Sequence, residues 1–132
     1  MADLIILGGH QFNTLIADTL EEQAKGLMYK KWPPPVMSFP YKTAEIRKFW
    51  MKNTISPLDI IFCRSGKIVG IYKGEPLSTM SVGPNEPVDL VIELPHGKAK
   101  KIGIAIGDDV ELLRGLRGLA KKFEKRLHTK KS

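Results

Sequence analysis

The residues best able to do chemistry lie together in the segment 49–62, which reads FWMKNTISPLDIIF. Asp59 stands inside an apolar run of this segment, where a carboxylate is costly to bury unless a hydrogen-bond donor meets it. If a turn closes on residues 54–57, antiparallel pairing places Lys52 opposite Asp59. Trp50 and Asp59 are the two residues of the segment that hydrophobicity alone does not require.

Two interpretations of Asp59 remain open at this stage. In the first, Asp59 is the floor of a small ligand pocket walled by Trp50, and its carboxylate is an acid, a base or a hydrogen-bond acceptor toward the ligand. In the second, Asp59 is structural, either in a cross-strand ion pair or as the acceptor of backbone N–H groups from a loop. The ligand-pocket candidates are Trp50, Lys52, Asn53 and Asp59.

Other catalytic and metal-binding patterns are weak in this sequence. The histidines His10, His96 and His128 show no metal-ligand spacing, and the glycine pairs lack the residues of a phosphate-binding loop. The single cysteine, Cys63, ends an apolar strand and is expected to be a small buried hydrophobe. General acid–base chemistry normally needs a pair of groups or a metal. We therefore assign no catalytic residue, expect no metal or cofactor, and favour a protein that is not an enzyme.

The net positive charge of the chain comes entirely from one end. The 132 residues carry a net charge of +7, with 21 basic and 14 acidic side chains. Residues 114–132 contain eight of the basic residues and one acid, Glu124, so 13 of each sign remain in residues 1–113. The sequence therefore describes a neutral domain, residues 1–113, with a basic extension, residues 114–132.

The basic extension has the periodicity of an amphipathic helix. Apolar residues recur at spacings of three and four from Leu113 to Leu127, with lysines and arginines between them. Such a helix can bind an acidic protein surface or the phosphates of a nucleic acid, or can simply pack on its own domain. The partner-binding candidates are Arg114, Arg117, Lys121, Lys122, Phe123, Lys125 and Arg126.

The domain itself is predicted to be mainly β. In the first half of the chain we expect a hairpin from the runs 4–7 and 11–17, a capped helix from Leu20 to Lys25 and a brief strand at 36–39. A three-stranded meander from 49–53, 58–63 and 67–72 and a long loop at 75–87 should follow. The domain should end with a strand at 88–94, a helical turn within 96–103 and a last strand at 109–113. Many short strands and few helices indicate a compact antiparallel β-sandwich or partly open barrel.

The chain shows no sign of a membrane or export segment. No run approaches the roughly 20 apolar residues of a spanning helix, and the first residues do not resemble a signal peptide. We expect a cytoplasmic protein or a component of an intracellular assembly such as a virion. The favoured function is a non-catalytic binding or assembly module whose basic helix docks on an anionic partner. The alternative is a small-ligand binder or enzyme using the pocket around Trp50, Lys52 and Asp59.

Four motifs resemble domain-of-unknown-function family 192: ADTLEEQAKGLM at 17–28, FWMKNT at 49–54, PLDIIF at 57–62, and VIEL at 91–94 followed by Gly107 and Asp108. The resemblance implies a compact, sandwich-like, mainly β fold without an established activity. Lys25 stands where family members usually carry arginine, and residues 36–39 depart from the usual glycine-led segment. The extension beyond Leu113 lies outside the family pattern.

Overall fold

Residues 2–115 form two β-sheets and two short helices in the computed structural model, which describes that part of the chain. The elements in chain order are β1 (Leu4–Leu7), β2 (His10–Asn13), β3 (Leu15–Ile16), α1 (Leu20–Lys25), β4 (Met37–Glu45), β5 (Leu58–Arg64), β6 (Lys67–Gly74), β7 (Val88–Pro95), α2 (Lys98–Ile102) and β8 (Val110–Leu113). The small sheet has the order β2-β1-β8, and the large sheet has the order β3-β4-β7-β5-β6. The expectation of a mainly β fold with short helices is confirmed, and the sheets do not close into a barrel.

The large sheet is buried on both faces, and β7 lies at its centre between β4 and β5. Successive side chains of a strand leave opposite faces, so neighbouring residues enter different cores. One face, here called the sandwich face, packs against the small sheet and includes Ile61, Cys63, Ile92 and Leu94 together with Ile5 and Leu7 of β1. The other, here called the loop face, includes Leu58, Ile60, Phe62 and Val91, packed with Leu27, Met51 and the partly buried Phe49 and Val82.

Helix α1 forms as its capping residues predict. The Glu22 backbone N–H donates to the Thr19 hydroxyl at 3.0 Å, and the Glu22 carboxylate accepts from the Thr19 backbone N–H at 3.0 Å. These two bonds satisfy orphan donors of the first turn. The helix ends at Gly26, whose φ of 50° and ψ of −128° suit a residue without a side chain. The expected helix from Leu20 to Lys25 is confirmed.

The expected strand at residues 49–53 is wrong. Phe49 forms only an isolated bridge with Val82, and the Met51 N–H donates to the Ser78 carbonyl. The edge of β5 that this segment was expected to fill is occupied by β7, which contributes fully buried residues to both faces of the sheet, Val91 on the loop face and Ile92 and Leu94 on the sandwich face. The strand at 36–39 extends instead to Glu45 as β4 and pairs with the other edge of β7.

The expected helix over the basic extension lies, from Leu116 onward, outside the described residues. Arg114 and Gly115 are described, and both contact the folded domain. The Arg114 guanidinium donates to both carboxylate oxygens of Asp18, at 2.9 and 2.7 Å, and the Gly115 N–H donates to the Asp3 carboxylate at 2.6 Å. No helix within residues 2–115 is long and apolar enough to cross a membrane.

Candidate functional site

Asp59 is sealed within the sandwich face and is fully engaged by hydrogen bonds. One oxygen accepts from the backbone N–H groups of Gly97 and Ala99, at 3.0 and 2.9 Å. The other lies 2.9 Å from Nδ1 of His96. Asp59 is 6% exposed and therefore anchors the turn that leads into α2. The structure places Asp59 in the role of a buried acceptor of loop N–H groups.

The expected pairing of Lys52 with Asp59 does not form. Asp59 lies opposite Lys73 on β6 and Leu94 on β7, because β5 is paired on both edges. Lys52 instead places its ammonium 5.3 Å from the ring centroid of the half-exposed Trp50, on the loop side of the large sheet. Asn53 occupies a left-handed turn with a φ of 57°, and its carbonyl accepts from the Tyr29 N–H at 2.9 Å.

Trp50 and Lys52 line a cavity of about 270 Å³ on the loop face. Asp59 and Asn53 do not line it. One wall comes from α1 and the residues that follow it, including Lys25, Gly26 and Met28, and another comes from Lys48 to Lys52. The floor belongs to the large sheet, where β4 contributes Phe39 and Tyr41 and β7 contributes Glu93.

Glu93 is the one acidic side chain among the residues that line this cavity, which is here called the Glu93 pocket. Its residue is 5% exposed, and it forms neither a hydrogen bond nor an ion pair with any of residues 2–115. Burial without such a partner raises the pKa of the Glu93 carboxyl group from 4.5 to about 8. A buried carboxyl group with a strongly shifted pKa in a cavity is a candidate binding group.

Gly26 lies beside the Glu93 carboxyl group, and its lack of a side chain leaves this side of the carboxyl group uncovered. A Cβ at this position would lie 3.5 Å from Oε1 of Glu93 and 3.4 Å from Cζ of Phe39. Both distances are ordinary van der Waals contacts, so the positive φ of Gly26, rather than a lack of space, favours glycine at this position. The end of α1 therefore shapes the entrance to the carboxyl group.

Aromatic rings form the rest of the pocket floor. Phe39 packs edge to face on Phe49 with ring centroids 5.1 Å apart, and Phe49 packs in the same way on Phe62 at 5.7 Å. The ring of Tyr41 lies 3.6 Å beneath the guanidinium of Arg47. Burial is the main cause that raises the pKa of Tyr41 to about 12. These contacts make a rigid apolar floor around one carboxyl group.

Three lysines line the same pocket, and they differ in what they contact. Lys48 donates to the carbonyls of Gly83 and Pro84, at 2.5 and 3.0 Å, and to the Asn85 side chain at 2.8 Å. Lys25 and Lys52 are exposed, and within residues 2–115 neither forms an ion pair with a carboxylate. The pocket thus has an acidic floor and a basic mouth.

Sequence reasoning missed Glu93. The signal that singled out Asp59, a carboxylate within an apolar strand, is equally present in VDLVIELP at 88–95. Sequence alone could have nominated Glu93, but it could not tell which of the two acids would find hydrogen-bond donors. Cys63 is fully buried, as expected, and desolvation raises the pKa of its thiol, which leaves it unreactive. No group of three His, Cys, Asp or Glu side chains within residues 2–115 is arranged to hold a metal ion.

Fold and site together define a two-sheet β domain with a small pocket on the outer side of its larger sheet. The chain belongs to the DUF192 family, described as "Uncharacterized ACR", whose pattern matches residues 4–112. This confirms the resemblance carried by the four sequence motifs. The family pattern stops short of the basic extension.

Two crystal structures share this fold. A protein of unknown function from Novosphingobium aromaticivorans DSM 12444 is 33% identical with a TM-score of 0.76, over 82% of this chain and 83% of that one. A protein from Sinorhizobium meliloti 1021, described as a "putative transcription regulator", is 32% identical with a TM-score of 0.75, over 83% of this chain and 91% of that one. No functionally curated protein shows significant similarity to the chain.

Proposed function

We propose that the protein binds a small polar metabolite in the Glu93 pocket. The observation that carries this proposal is the Glu93 carboxyl group, which is 5% exposed, lines an open cavity and has no hydrogen-bond or ion-pair partner among residues 2–115. Burying a carboxyl group without a hydrogen-bond partner costs several kcal/mol when the group is charged, or shifts its pKa as is found here. A ligand that hydrogen-bonds to Glu93 recovers this cost.

The dimensions and composition of the pocket favour a ligand of metabolite size. Its volume of about 270 Å³ lies just below the range of about 300 to 1,000 Å³ that is typical of drug-sized ligands. Aromatic rings around one polar group provide contact area together with an orienting hydrogen bond. Lining residues include no second carboxyl group or histidine to form an acid–base pair with Glu93, which supports binding rather than catalysis.

Ligand-observed NMR with a panel of amino acids, alkylamines, short carboxylic acids and monosaccharides tests this proposal. At least one class should show saturation transfer from the wild-type protein and lose it with Glu93→Gln, which replaces the carboxyl group by an amide that cannot ionise, at nearly constant volume. Asp59→Asn is the matched control, because Asp59 is buried to a similar degree but does not line the pocket. The proposal fails if no class binds, or if Glu93→Gln binds every compound as the wild type does.

A second candidate function rests on the charge distribution. The basic extension carries eight basic residues and one acid, which favours a binding or assembly module that docks on an acidic protein surface or a nucleic acid. Within the extension, Arg114 differs from the other partner-binding candidates, because its guanidinium is already engaged by Asp18. We therefore assign the docking role to the remaining candidates.

A full-length charge variant tests the docking role. Replacing Lys121, Lys122, Lys125 and Arg126 by Gln should abolish salt-sensitive binding to a polyglutamate peptide or to duplex DNA. The matched control replaces four exposed lysines of the domain, Lys30, Lys31, Lys100 and Lys101, by Gln and should bind as the wild type does. Equal losses in both variants would show that net charge, rather than the extension, governs binding. Which of the two probes binds decides the class of partner.

A further inference from the structure

We infer that the ligand of the Glu93 pocket is a small zwitterion, with its ammonium group on Glu93 and its anionic group between Lys25 and Lys52 at the mouth. This inference rests on the proposed function and names the chemical class of its ligand. Two features of the pocket carry it: the buried acidic floor, and the exposed lysines at the mouth that have no carboxylate partner within residues 2–115.

The floor of the pocket suits an ammonium group. Glu93 has no basic partner in the part of the chain that the structure describes, so a ligand cation can form a charge-assisted hydrogen bond to its carboxylate. The ring of Phe39 lines the pocket beside Glu93, and aromatic faces attract cations at desolvated sites. The missing side chain at Gly26 leaves space beside Oε1 of Glu93.

The mouth of the pocket suits an anionic group. Lys48 is held by three acceptors, whereas the exposed side chains of Lys25 and Lys52 have no carboxylate partner within residues 2–115. Lys52 also projects over the exposed ring of Trp50, which can cover the bound ligand. A purely cationic ligand would pass these lysines unfavourably, whereas a zwitterion offers them an anion.

Floor and mouth carry opposite charges when Glu93 is ionised. Burial raises the pKa of the Glu93 carboxyl group, and within residues 2–115 none of the three lysines forms a hydrogen bond or ion pair with it. Tyr41 on β4 and the lysines Lys25, Lys48 and Lys52 are the titratable side chains that share the cavity with Glu93. A carboxylate at the floor and ammonium groups at the mouth complement a ligand that has an ammonium group at one end and an anionic group at the other.

The opposing chemistry is an anionic ligand that accepts a hydrogen bond from protonated Glu93. The two chemistries predict opposite pH dependences. An ammonium group pairs with ionised Glu93 and displaces its proton, so binding tightens as the pH rises toward about 8, by at most about tenfold per unit. The binding of a carboxylate ligand that needs protonated Glu93 weakens over the same pH range.

Isothermal titration calorimetry of the full-length protein distinguishes these cases. The probes are glycine, 4-aminobutyrate and 6-aminohexanoate, each with the alkylamine and the carboxylate of matching length, at about pH 6 and about pH 8. We expect one zwitterion to bind at least about tenfold more tightly than either matched single-charge probe, and to bind more tightly at the higher pH. Glu93→Gln should remove the contribution of the ammonium group. The double variant Lys25→Gln, Lys52→Gln should reduce the affinity for the zwitterion to that for the amine.

The remaining outcomes overturn the inference. Equal binding of zwitterion and amine excludes a role for the lysines, and tighter binding of the carboxylate at the lower pH supports the opposing chemistry. If none of these probes binds while the broader panel yields another ligand that depends on Glu93, the zwitterion inference fails and the proposed function stands. If neither set binds, both fail.

Discussion

Asp59 and Glu93 lie on adjacent antiparallel strands, one register position apart, and their side chains leave the large sheet on opposite faces. Asp59 is opposite Leu94 and Glu93 is opposite Ile60. On the sandwich face, Asp59 meets two backbone N–H groups and His96. On the loop face, Glu93 meets a cavity. Two buried carboxyl groups in the same sheet therefore have different surroundings: Asp59 is engaged by three hydrogen bonds, and Glu93 lines a cavity.

Asp59→Asn should destabilise the protein while leaving the pocket intact. The amide cannot accept hydrogen bonds from all three donors, and hydrogen bonds to a buried charged group contribute about 1.5 to 3 kcal/mol each, so we expect a loss of about 3 kcal/mol in the free energy of unfolding. Urea denaturation measures this loss. Asp109→Asn, on an exposed carboxylate, is the control and should cost under about 0.5 kcal/mol. A similar cost in both variants would contradict the anchoring role.

Glu93→Gln should change how stability depends on pH. The folded-state pKa of about 8 lies above the ordinary value of 4.5, so between these values the folded protein holds a proton that the unfolded chain releases. This group therefore lowers the free energy of unfolding as the pH rises, by up to about 1.4 kcal/mol per unit. The decline ends as the pH passes the folded-state pKa. The glutamine variant lacks this decline.

Denaturation curves at several pH values measure the difference between wild type and Glu93→Gln. The stability advantage of the variant should grow from about pH 4.5 toward about pH 8. The exposed Glu111→Gln is the control and should follow the wild type at each pH. A constant difference between wild type and Glu93→Gln would mean that Glu93 is not desolvated in the folded protein.

Gly26→Ala should weaken both folding and ligand binding. Its backbone conformation strains any residue with a Cβ, by about 1 to 3 kcal/mol, and the added methyl group lies against Oε1 of Glu93. Gly103→Ala is the matched control, because Gly103 also has a positive φ but faces open space. Thermal unfolding and titration with the pocket ligand separate the effects. Both variants should lose stability, and Gly26→Ala alone should lose affinity.

The Arg114–Asp18 pair should couple the start of the basic extension to the domain only weakly. The pair is bidentate but partly exposed, so a double-mutant cycle with Arg114→Gln and Asp18→Asn should give a coupling of about 0.5 to 1 kcal/mol at neutral pH. The hydrogen bond from Arg114 lowers the pKa of Asp18, so the coupling should be lost as the pH falls through that lowered value. A coupling that persists in acid would contradict this assignment.

Local elements could be predicted because their causes lie within a few residues. The Thr19–Glu22 capping box, the helix it begins and the apolar runs of β5, β6 and β7 appear where the sequence places them. The opening hairpin forms between β1 and β2, but the expected second strand at 11–17 divides, and its last residues form β3 in the large sheet. Turns and caps depend on neighbouring residues, and strands depend on alternation over a short run. The sequence also shows that residues 114–132 carry the whole net positive charge of the chain.

Only the tertiary structure decided which strands are neighbours, and hence which of the two buried carboxyl groups finds hydrogen-bond donors within residues 2–115. Residues 49–53 and β7 are both apolar enough to pair with β5, and the longer β7, with buried residues on both faces, takes that edge. The donors that engage Asp59 come from residues 37 to 40 positions further along the chain. No local sequence pattern predicts the contact between Asp59 and these donors, because it depends on how two sheets and a loop pack. For the same reason Asp59 and Glu93 look alike in sequence, and the fold alone makes one an anchor and the other the floor of a pocket.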